Sequence, residues 1–229
     1  MMSDENKDSR LQTDQIADAG GRTSDSKLRT RLYVASSNPG KLREFREAGA
    51  LRNVTVLPHP EFAKRRVCIE DGDTFEANAR KKAIHYSLGF SGLVFADDSG
   101  ICVDALGGAP GIYSARFAGP HATDQQNNEQ LLAELRRRET QAHVNRAAHY
   151  ICAIALAQQG QVLTVLEGRV DGLIIDEPKG AGGFGYDPYF FYPPYGKTLA
   201  ETNPEEKFAV SHRGAAFRKL LDYLQTHGR

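Results

Sequence analysis

The sequence predicts an α/β protein built on one mixed β-sheet with helices packed against it. Short apolar segments typical of strands alternate along the chain with amphipathic segments that have the period of helices. Two long apolar runs, 147–157 and 162–172, are joined by "QQGQ", which predicts an antiparallel hairpin. Strands that alternate with helices, together with a hairpin, indicate a mixed sheet rather than a purely parallel one.

The composition narrows the classes of partner and the compartment. The 229-residue chain carries 29 Lys and Arg residues against 29 Asp and Glu residues, and this balance argues against nucleic acid or a membrane surface as a partner. No apolar run reaches the ~18 residues that span a bilayer. Cys68, Cys102 and Cys152 lie beside apolar residues without a CxxC pair, which predicts buried free thiols and a reducing, cytoplasmic environment.

The first 29 residues differ from the rest of the chain. They mix acidic and basic residues, contain few large apolar ones and lack the apolar core of a secretion signal. Such a segment buries too little surface to offset the entropy that it would lose on ordering. We therefore expect a disordered N-terminal tail over 1–29 and one folded domain over 30–229.

The domain begins with a predicted strand, helix and strand. The run 31–36 is apolar and short, as a buried strand requires. Asn38 is a good N-cap and Pro39 suits the first helical position, so a helix should begin there and end near Gly49. A second strand is expected over 53–59.

A second helix and a third strand follow. The helix should run from about Thr74 to Leu88, and the spacing of Asp73 and Glu76 predicts a capping box at its start. The next strand is expected over 92–96, where the apolar run ends in "DDSG". The segment after it, "ICVDAL", should continue extended.

The rest of the chain is predicted to contain two more helices around the hairpin. Thr123 and Gln126 are spaced to form a capping box for a helix over 124–138. The last helix, from about Arg213 to Thr226, is amphipathic.

A glycine pattern before the last helix resembles a dinucleotide-binding motif but does not fit one. Gly180, Gly182 and Gly185 match G-x-G-x-x-G, a fingerprint that must open a helix. Three prolines lie within 188–194, so no helix can begin there. The segment is predicted to be a loop, one that can cover a ligand.

The segment "SSNPGK", residues 36–41, is a candidate phosphate-binding loop. Ala35 stands where a P-loop requires its first glycine, and Leu42 stands where it requires Ser or Thr, so the segment is not a P-loop. A helix N-terminus still attracts anions through its free N–H groups and its dipole, and Gly40 and Lys41 suit a phosphate. The spacing alone leaves open a plain capped helix with a surface lysine.

Carboxylates provide a candidate metal site. Asp97 and Asp98 are adjacent, and neighbouring side chains on a strand point to opposite faces, so one can face a site while the other turns away. Asp98 suits Mg²⁺, which needs only one or two carboxylates plus substrate phosphates, and Glu70 is a candidate for the second. A solvated Asp-Asp-Ser-Gly turn is the alternative.

One lysine interrupts an apolar helix face. Lys82 shares the inward face of the second helix with Phe75 and Tyr86, and a polar group on such a face requires a partner, for which a phosphate would serve. Lys207, His212 and Arg213 extend the basic set, although each alone resembles a surface residue. These residues together predict a ligand that carries phosphate, but they do not identify a reaction.

Six ordered segments between about 31 and 226 resemble the inosine triphosphatase family, the pyrophosphatases that act on non-standard purine nucleoside triphosphates. That resemblance implies hydrolysis of ITP, dITP or XTP to the monophosphate and pyrophosphate, with Mg²⁺ as cofactor and a homodimer as the usual state. It also implies an elongated mixed sheet flanked by helices, in two lobes with the site in the cleft. The segments are "SSNPGKLREF", "EDGDTFEANARKKA", "FADDSGICVDALGGAPGIYSARFAG", "GGFGYDPYFF", "GKTLAE" and "EEKFAVSHRGAAFRKL".

The same resemblance implies roles for individual residues. Asp98 matches the proton acceptor for the attacking water, Lys41 and Lys82 complete the catalytic set, and Glu70 and Asp98 match the metal positions. Asp97 could share either of the two roles of Asp98. Phe184 would stack on the purine, and His212 and Arg213 would read its 6-oxo group. The substrate positions implied are Ser36, Ser37, Asn38, Pro39, Gly40, Lys41, Ser99, Phe184, Gly185, Tyr186, Asp187, Lys207, His212 and Arg213.

Two other functions compete with this one. The first is a related Mg²⁺-dependent pyrophosphatase for other damaged nucleotides, including pyrimidines. The second is a nucleotide-binding module without turnover. We rank the binding module last, because the chain carries the full set of Glu70, Asp98 and Lys41.

Overall fold

The computed structural model describes residues 30–140 and 145–227, so the tail predicted over 1–29 lies outside the described residues. The described chain forms one seven-stranded sheet in the order β2-β1-β3-β4-β5-β6-β7. Strands β1 and β2, and β1 and β3, pair in parallel, while each later pair is antiparallel. The predicted mixed sheet and hairpin are therefore confirmed. The strands are β1 Arg31–Val34, β2 Thr55–Pro58, β3 Leu93–Val103, β4 Ala147–Gln158, β5 Gln161–Ile174, β6 Phe190–Tyr192 and β7 Lys197–Thr198.

In the described part of the chain, four helices flank the sheet at the predicted places and one, Pro204–Val210, was not predicted; caps explain where most of them begin. Asn38 caps the first helix, and Thr123 forms the predicted capping box with Gln126. The box predicted for Asp73 and Glu76 is wrong, because the Thr74 hydroxyl is the cap and accepts from the Ala77 N–H at 3.0 Å. The helices are α1 Pro39–Ala50, α2 Phe75–Ser87, α3 Asp124–Glu139, α4 Pro204–Val210 and α5 His212–His227.

The third strand is much longer than the sequence predicts. The expected end at Ala96 is wrong, since β3 continues through Asp97 and Asp98 to Val103, paired along its length with β4. The strand that does end here is β1, whose last residue, Val34, pairs with Phe95. The two aspartates therefore lie in the middle of β3, just beyond the point where its other neighbour leaves the sheet.

Three groups of buried side chains divide the sheet into two lobes. Successive residues of β3 point to opposite faces: Phe95 packs among side chains of α1 and α5, whereas Val94 and Ala96 pack against α2. These two groups form the first lobe. The second lobe is built on α3 and the far halves of β3, β4 and β5, with Ile101 and Phe190 in its core. The confirmed two-lobed architecture leaves a cleft between the groups.

Two properties predicted from composition are tested by the fold. Cys102 and Cys152 are buried free thiols, as predicted, whereas Cys68 is only half-buried because it lies in the irregular segment 65–74 at the cleft. Within the described ranges, no helix has the length and apolar character needed to cross a bilayer.

Candidate active site

A cavity of about 680 Å³ lies between the lobes, beyond the end of β1. Both lobes contribute to it, and it gathers side chains from segments spread along the chain from Ala35 to Arg213. Fourteen of the residues predicted for the site line this cavity: Ser36, Ser37, Asn38, Lys41, Glu70, Lys82, Asp98, Ser99, Phe184, Gly185, Tyr186, Asp187, His212 and Arg213.

Three of the predicted residues lie behind the cavity wall. Pro39 and Gly40 form the start of α1, and Gly40 packs under Phe184 so closely that a Cβ there would lie 2.5 Å from the Phe184 ring. Lys207 lines a second cavity, and its Nζ lies 5.2 Å from the centre of the Phe184 ring. Gly40 and Lys207 therefore both lie against Phe184.

The N-terminal end of α1 forms one border of the cavity. The Asn38 side chain accepts a hydrogen bond from the Lys41 N–H at 3.1 Å, and the Ser36 hydroxyl accepts one from the Asn38 N–H at 3.2 Å. These bonds fix the loop as it enters the helix, so that its positive end borders the cavity. Loop 36–41 is therefore both a capped helix start and part of the cavity wall.

Asp97 is buried on the α1 face of the sheet, and one of its carboxylate oxygens pairs with two cations. Its Oδ2 lies 2.8 Å from Lys41 Nζ and 3.6 Å from Arg213 Nε, and it accepts from the Ser99 hydroxyl at 3.4 Å. Burial alone would raise the pKa of Asp97, but the charges of Lys41 and Arg213 outweigh it and lower the pKa to about 2. Asp97 is thus a permanent anion that orients two cations.

Asp98 points to the α2 face and into the cavity. Its Oδ1 lies 3.2 Å from Lys82 Nζ, and its Oδ2 accepts from the Asn78 amide at 3.2 Å. Burial raises the pKa of Asp98, and nearby Glu70 adds to that effect, while Lys82 opposes it. Asp98 is therefore a more basic carboxylate than Asp97, and it is partly open to the cavity.

The donor set near Asp98 fits a divalent cation completed by substrate oxygens. Among residues 30–140 and 145–227, no three His, Cys, Asp or Glu side chains converge on one point. Glu70 and Asp98 nevertheless both contact Lys82 Nζ, at 2.7 and 3.2 Å, so the two carboxylates already share one positive charge. Two carboxylates suffice for Mg²⁺ when phosphates and waters supply the remaining ligands.

Phe184 lies close to two buried cations in the wall of the cavity. Its ring centre lies 5.2 Å from both Lys207 Nζ and Arg213 Cζ, distances at which cations attract an aromatic face. Lys207 pairs with Asp187 at 2.6 Å, and Arg213 donates to the Ser99 hydroxyl at 2.9 Å. The ring therefore has a charged environment formed by two paired cations, and it also lines the cavity.

His212 is buried in the cavity wall and is neutral. Its ring stacks on Tyr150 with centroids 4.5 Å apart, and burial together with the charge of Arg213 holds its pKa well below the usual value. Within the described part of the chain, His212 Nδ1 has no hydrogen-bond partner. A buried polar atom without a partner in the cavity wall is suited to a ligand.

Glu44 is a site residue that the sequence reasoning missed. Its carboxylate bridges Lys207 and Arg213, each at 2.5 Å, and these charges lower its pKa against the opposing effect of burial. Glu44 lies three residues after Lys41 and next to buried Phe45, so helical spacing puts it on the inward face of α1. That spacing was the available signal, although its two partners are more than 160 positions away.

Comparison with known proteins shows strong similarity over most of the chain. A model described as Ham1 family matches residues 32–223. The chain is 46% identical over 200 residues to a protein named dITP/XTP pyrophosphatase from Geobacter sulfurreducens, which covers 87% of this chain and 98% of that protein. It is 42% identical to the protein of the same name from Bacillus subtilis, with 84% and 96% covered.

Solved structures agree with these matches. A HAM1 protein from Coxiella burnetii superposes with a TM-score of 0.75 at 36% identity, covering 86% of this chain and 99% of that one. A nucleoside-triphosphatase, dITP/XTP pyrophosphatase, from Mycobacterium abscessus gives a TM-score of 0.61 at 40% identity, covering 84% and 99%. The chain therefore belongs to the Ham1 family.

Proposed function

We propose that the protein hydrolyses the non-standard purine nucleoside triphosphates ITP, dITP and XTP to the monophosphate and pyrophosphate. One observation carries the proposal: a single cavity is lined by a helix N-terminus, lysines and carboxylates together with the aromatic ring of Phe184. Such a cavity matches a molecule that carries both anionic groups and an aromatic ring. The relatives named dITP/XTP pyrophosphatase support this choice of substrate.

The phosphates would lie between the start of α1 and Asp98. Loop 36–41 offers the positive end of α1, while Lys41 and Lys82 offer two ammonium groups. Glu70 and Asp98 would hold Mg²⁺, which neutralises charge that develops on the phosphate oxygens. Lys82, which pairs with both carboxylates here, is then free to contact a phosphate instead.

Asp98 is the residue that we assign as general base. Water would attack the α-phosphorus, and a carboxylate that accepts its proton must face the cavity and stay ionised near neutral pH. Asp98 meets both conditions, because its raised pKa makes it more basic than Asp97 while Lys82 keeps it charged. Asn78 holds its second oxygen and so fixes its orientation.

The base would stack on the cavity side of Phe184, with His212 and Arg213 near its 6-oxo group. Neutral His212 can donate from Nδ1 in the tautomer that carries the proton there, and a 6-oxo group would accept. Adenine presents an amino group at that position, which leaves the buried donors unpaired. Discrimination against ATP follows from this arrangement.

A substrate panel tests the proposal. With Mg²⁺, we expect kcat/KM for ITP and XTP to exceed that for ATP by about 10²-fold or more, because adenine forfeits a buried hydrogen bond. We expect GTP also to be slow. The inorganic product should be pyrophosphate, identified by its cleavage to orthophosphate only after an inorganic pyrophosphatase is added. Direct release of orthophosphate would contradict the proposal, and equal turnover of pyrimidine triphosphates would favour a broader pyrophosphatase.

The proposal extends to the oligomeric state and the location of the protein. The family resemblance supports a homodimer, and the balance of 29 basic and 29 acidic residues supports a protein without nucleic acid or membrane partners. A role in clearing the nucleotide pool supports the cytoplasm. Light scattering should give twice the chain mass of 25.2 kDa, and a mass of one chain at micromolar concentration would contradict the dimer.

A further inference from the structure

The first two turns of α3 contact two segments beside the cavity, one at Ala115 and Ala118 and the other at Gly185. Asn127 and Asn128 are adjacent and both are buried, at 3% and 6% exposure. Asn127 holds the loop after Gly111–Arg116: its Oδ1 accepts from the Ala118 N–H at 2.9 Å, and its Nδ2 donates to the Ala115 carbonyl at 3.2 Å. Asn128, its neighbour, binds a different segment, the turn at Gly185.

Asn128 and Asp124 together hold the residue after Phe184. Asn128 Nδ2 donates to the Gly185 carbonyl at 2.9 Å and to the Asp124 carbonyl at 2.8 Å. Asp124 Oδ2 accepts from the Gly185 N–H at 2.7 Å. Both backbone polar groups of Gly185 are thus bound by α3, across 57 or more positions of sequence.

The conformation of the turn at Phe184 and Gly185 depends on the hydrogen bonds that hold it in place. Gly185 has a φ of +63°, a left-handed value that glycine adopts readily but among several alternatives. Phe184 is tied on its other side, because its N–H donates to Asp187 Oδ2 at 2.8 Å. The Phe184 ring therefore takes its position from two anchors, Asp187 on one side and α3 on the other.

We propose that Asp124 and Asn128 are positioning residues for nucleobase recognition, acting through the backbone of Gly185 to fix Phe184. This inference rests on the proposed function, since it takes Phe184 as the residue that stacks on the base. The contacts that hold Lys41, Lys82 and Asp98 involve neither residue. Loss of the α3 anchor should therefore weaken binding of the base without weakening binding of the phosphates.

Kinetics of Asn128→Ala test this separation. We expect KM for ITP to rise about tenfold, since the Gly185 carbonyl loses a buried partner and Phe184 is no longer fixed, with kcat changed by less than about twofold. Inhibition by inorganic triphosphate, which has no base, should be unchanged. Asp124→Ala should raise KM similarly, whereas Asp124→Asn, which keeps an acceptor oxygen, should restore most of the affinity.

Two variants separate positioning from loss of stability. Asn127→Ala removes an equally buried asparagine from the same turn of α3 but leaves the contact with Gly185, so it shows how much KM changes when a buried asparagine that does not hold Phe184 is lost. Glu129→Ala alters only an exposed pair with Gln125 and should leave KM unchanged. An Asn128→Ala effect no larger than that of Asn127→Ala, or equal weakening of inorganic triphosphate, would overturn the proposal.

Hydrogen exchange gives a test that does not need turnover. Backbone amides over 183–187 should exchange about tenfold faster in Asn128→Ala, while those over 115–119 should do so in Asn127→Ala. Unchanged exchange over 183–187 would overturn the anchoring by α3, whatever the activity. A parent protein that does not hydrolyse ITP would instead refute the proposed function, and the exchange data would still decide whether α3 holds the turn.

Discussion

Replacing Asp98 by asparagine is expected to lower pyrophosphate release from ITP by about 10³-fold, because a carboxylate that accepts a proton and holds a metal contributes on that scale. Asparagine keeps the size of the side chain and an oxygen for the Asn78 amide. Lys82 keeps Glu70 as its partner, at 2.7 Å. We therefore expect the fold to persist while the rate is lost, which steady-state release of pyrophosphate and a thermal melt would show together.

The control for Asp98→Asn is Asp171→Asn. Asp171 is an exposed carboxylate on β5 that pairs with Arg169, so its replacement makes the same chemical change far from the cavity. We expect it to leave kcat/KM unchanged. Equilibrium binding of ITP should survive in Asp98→Asn, which would separate loss of chemistry from loss of the site. A variant that retains more than about a tenth of the parent rate would remove Asp98 from the role of base.

The residue pattern identified the two aspartates as candidates, and the family resemblance implied the roles of Asp98. Alternation along a strand predicts that adjacent side chains face opposite sides, and Asp97 and Asp98 do. Which side faces the substrate depends on where β1 ends beside β3, since Val34 is the last residue of that pairing. The packing of distant elements sets that boundary, and local propensity wrongly predicted that β3 ends at Ala96. The cavity does lie next to the end of a strand, but that strand is β1, the neighbour of β3.

The anchors of Phe184 show a second limit of the sequence. Capping, helix periodicity and the inward-facing Lys82 were all local signals, and each was readable from spacing of three or four residues. Spacing puts Glu44 on the inward face of α1, but no local signal identifies the distant partners of Glu44, Asp124 and Asn128, because these partners lie 57 to 169 positions away. From the sequence alone, Glu44 on α1 and Asp124 and Asn128 on α3 look like any other polar residues. Only the folded sheet, which brings the two lobes together, shows what they contact.

Replacing Asp97 by asparagine is expected to have the opposite outcome from Asp98→Asn: a large loss of stability. Asp97 is 1% exposed, and its carboxylate offsets the charges of Lys41 and Arg213. Removing one partner of a buried ion pair leaves charge uncompensated, at a cost of about 3–5 kcal/mol in the free energy of unfolding. Urea titration of the parent and the variant measures this difference, and Asp171→Asn should lose less than about 1 kcal/mol because its pair is exposed.

The pH dependence of that loss identifies its cause. The pKa of Asp97 falls from the ordinary 3.8 to about 2 on folding, so the unfolded chain binds its proton first as the pH falls. The stability that the carboxylate contributes is therefore complete above about pH 4 and declines as the pH falls toward 2. The gap in unfolding free energy between the parent and Asp97→Asn should accordingly be constant from pH 5 to 7 and narrow below pH 4. A gap that stays the same at low pH would mean that asparagine disrupts packing around Cys152 rather than charge balance, because the two side chains lie in contact at 4.0 Å.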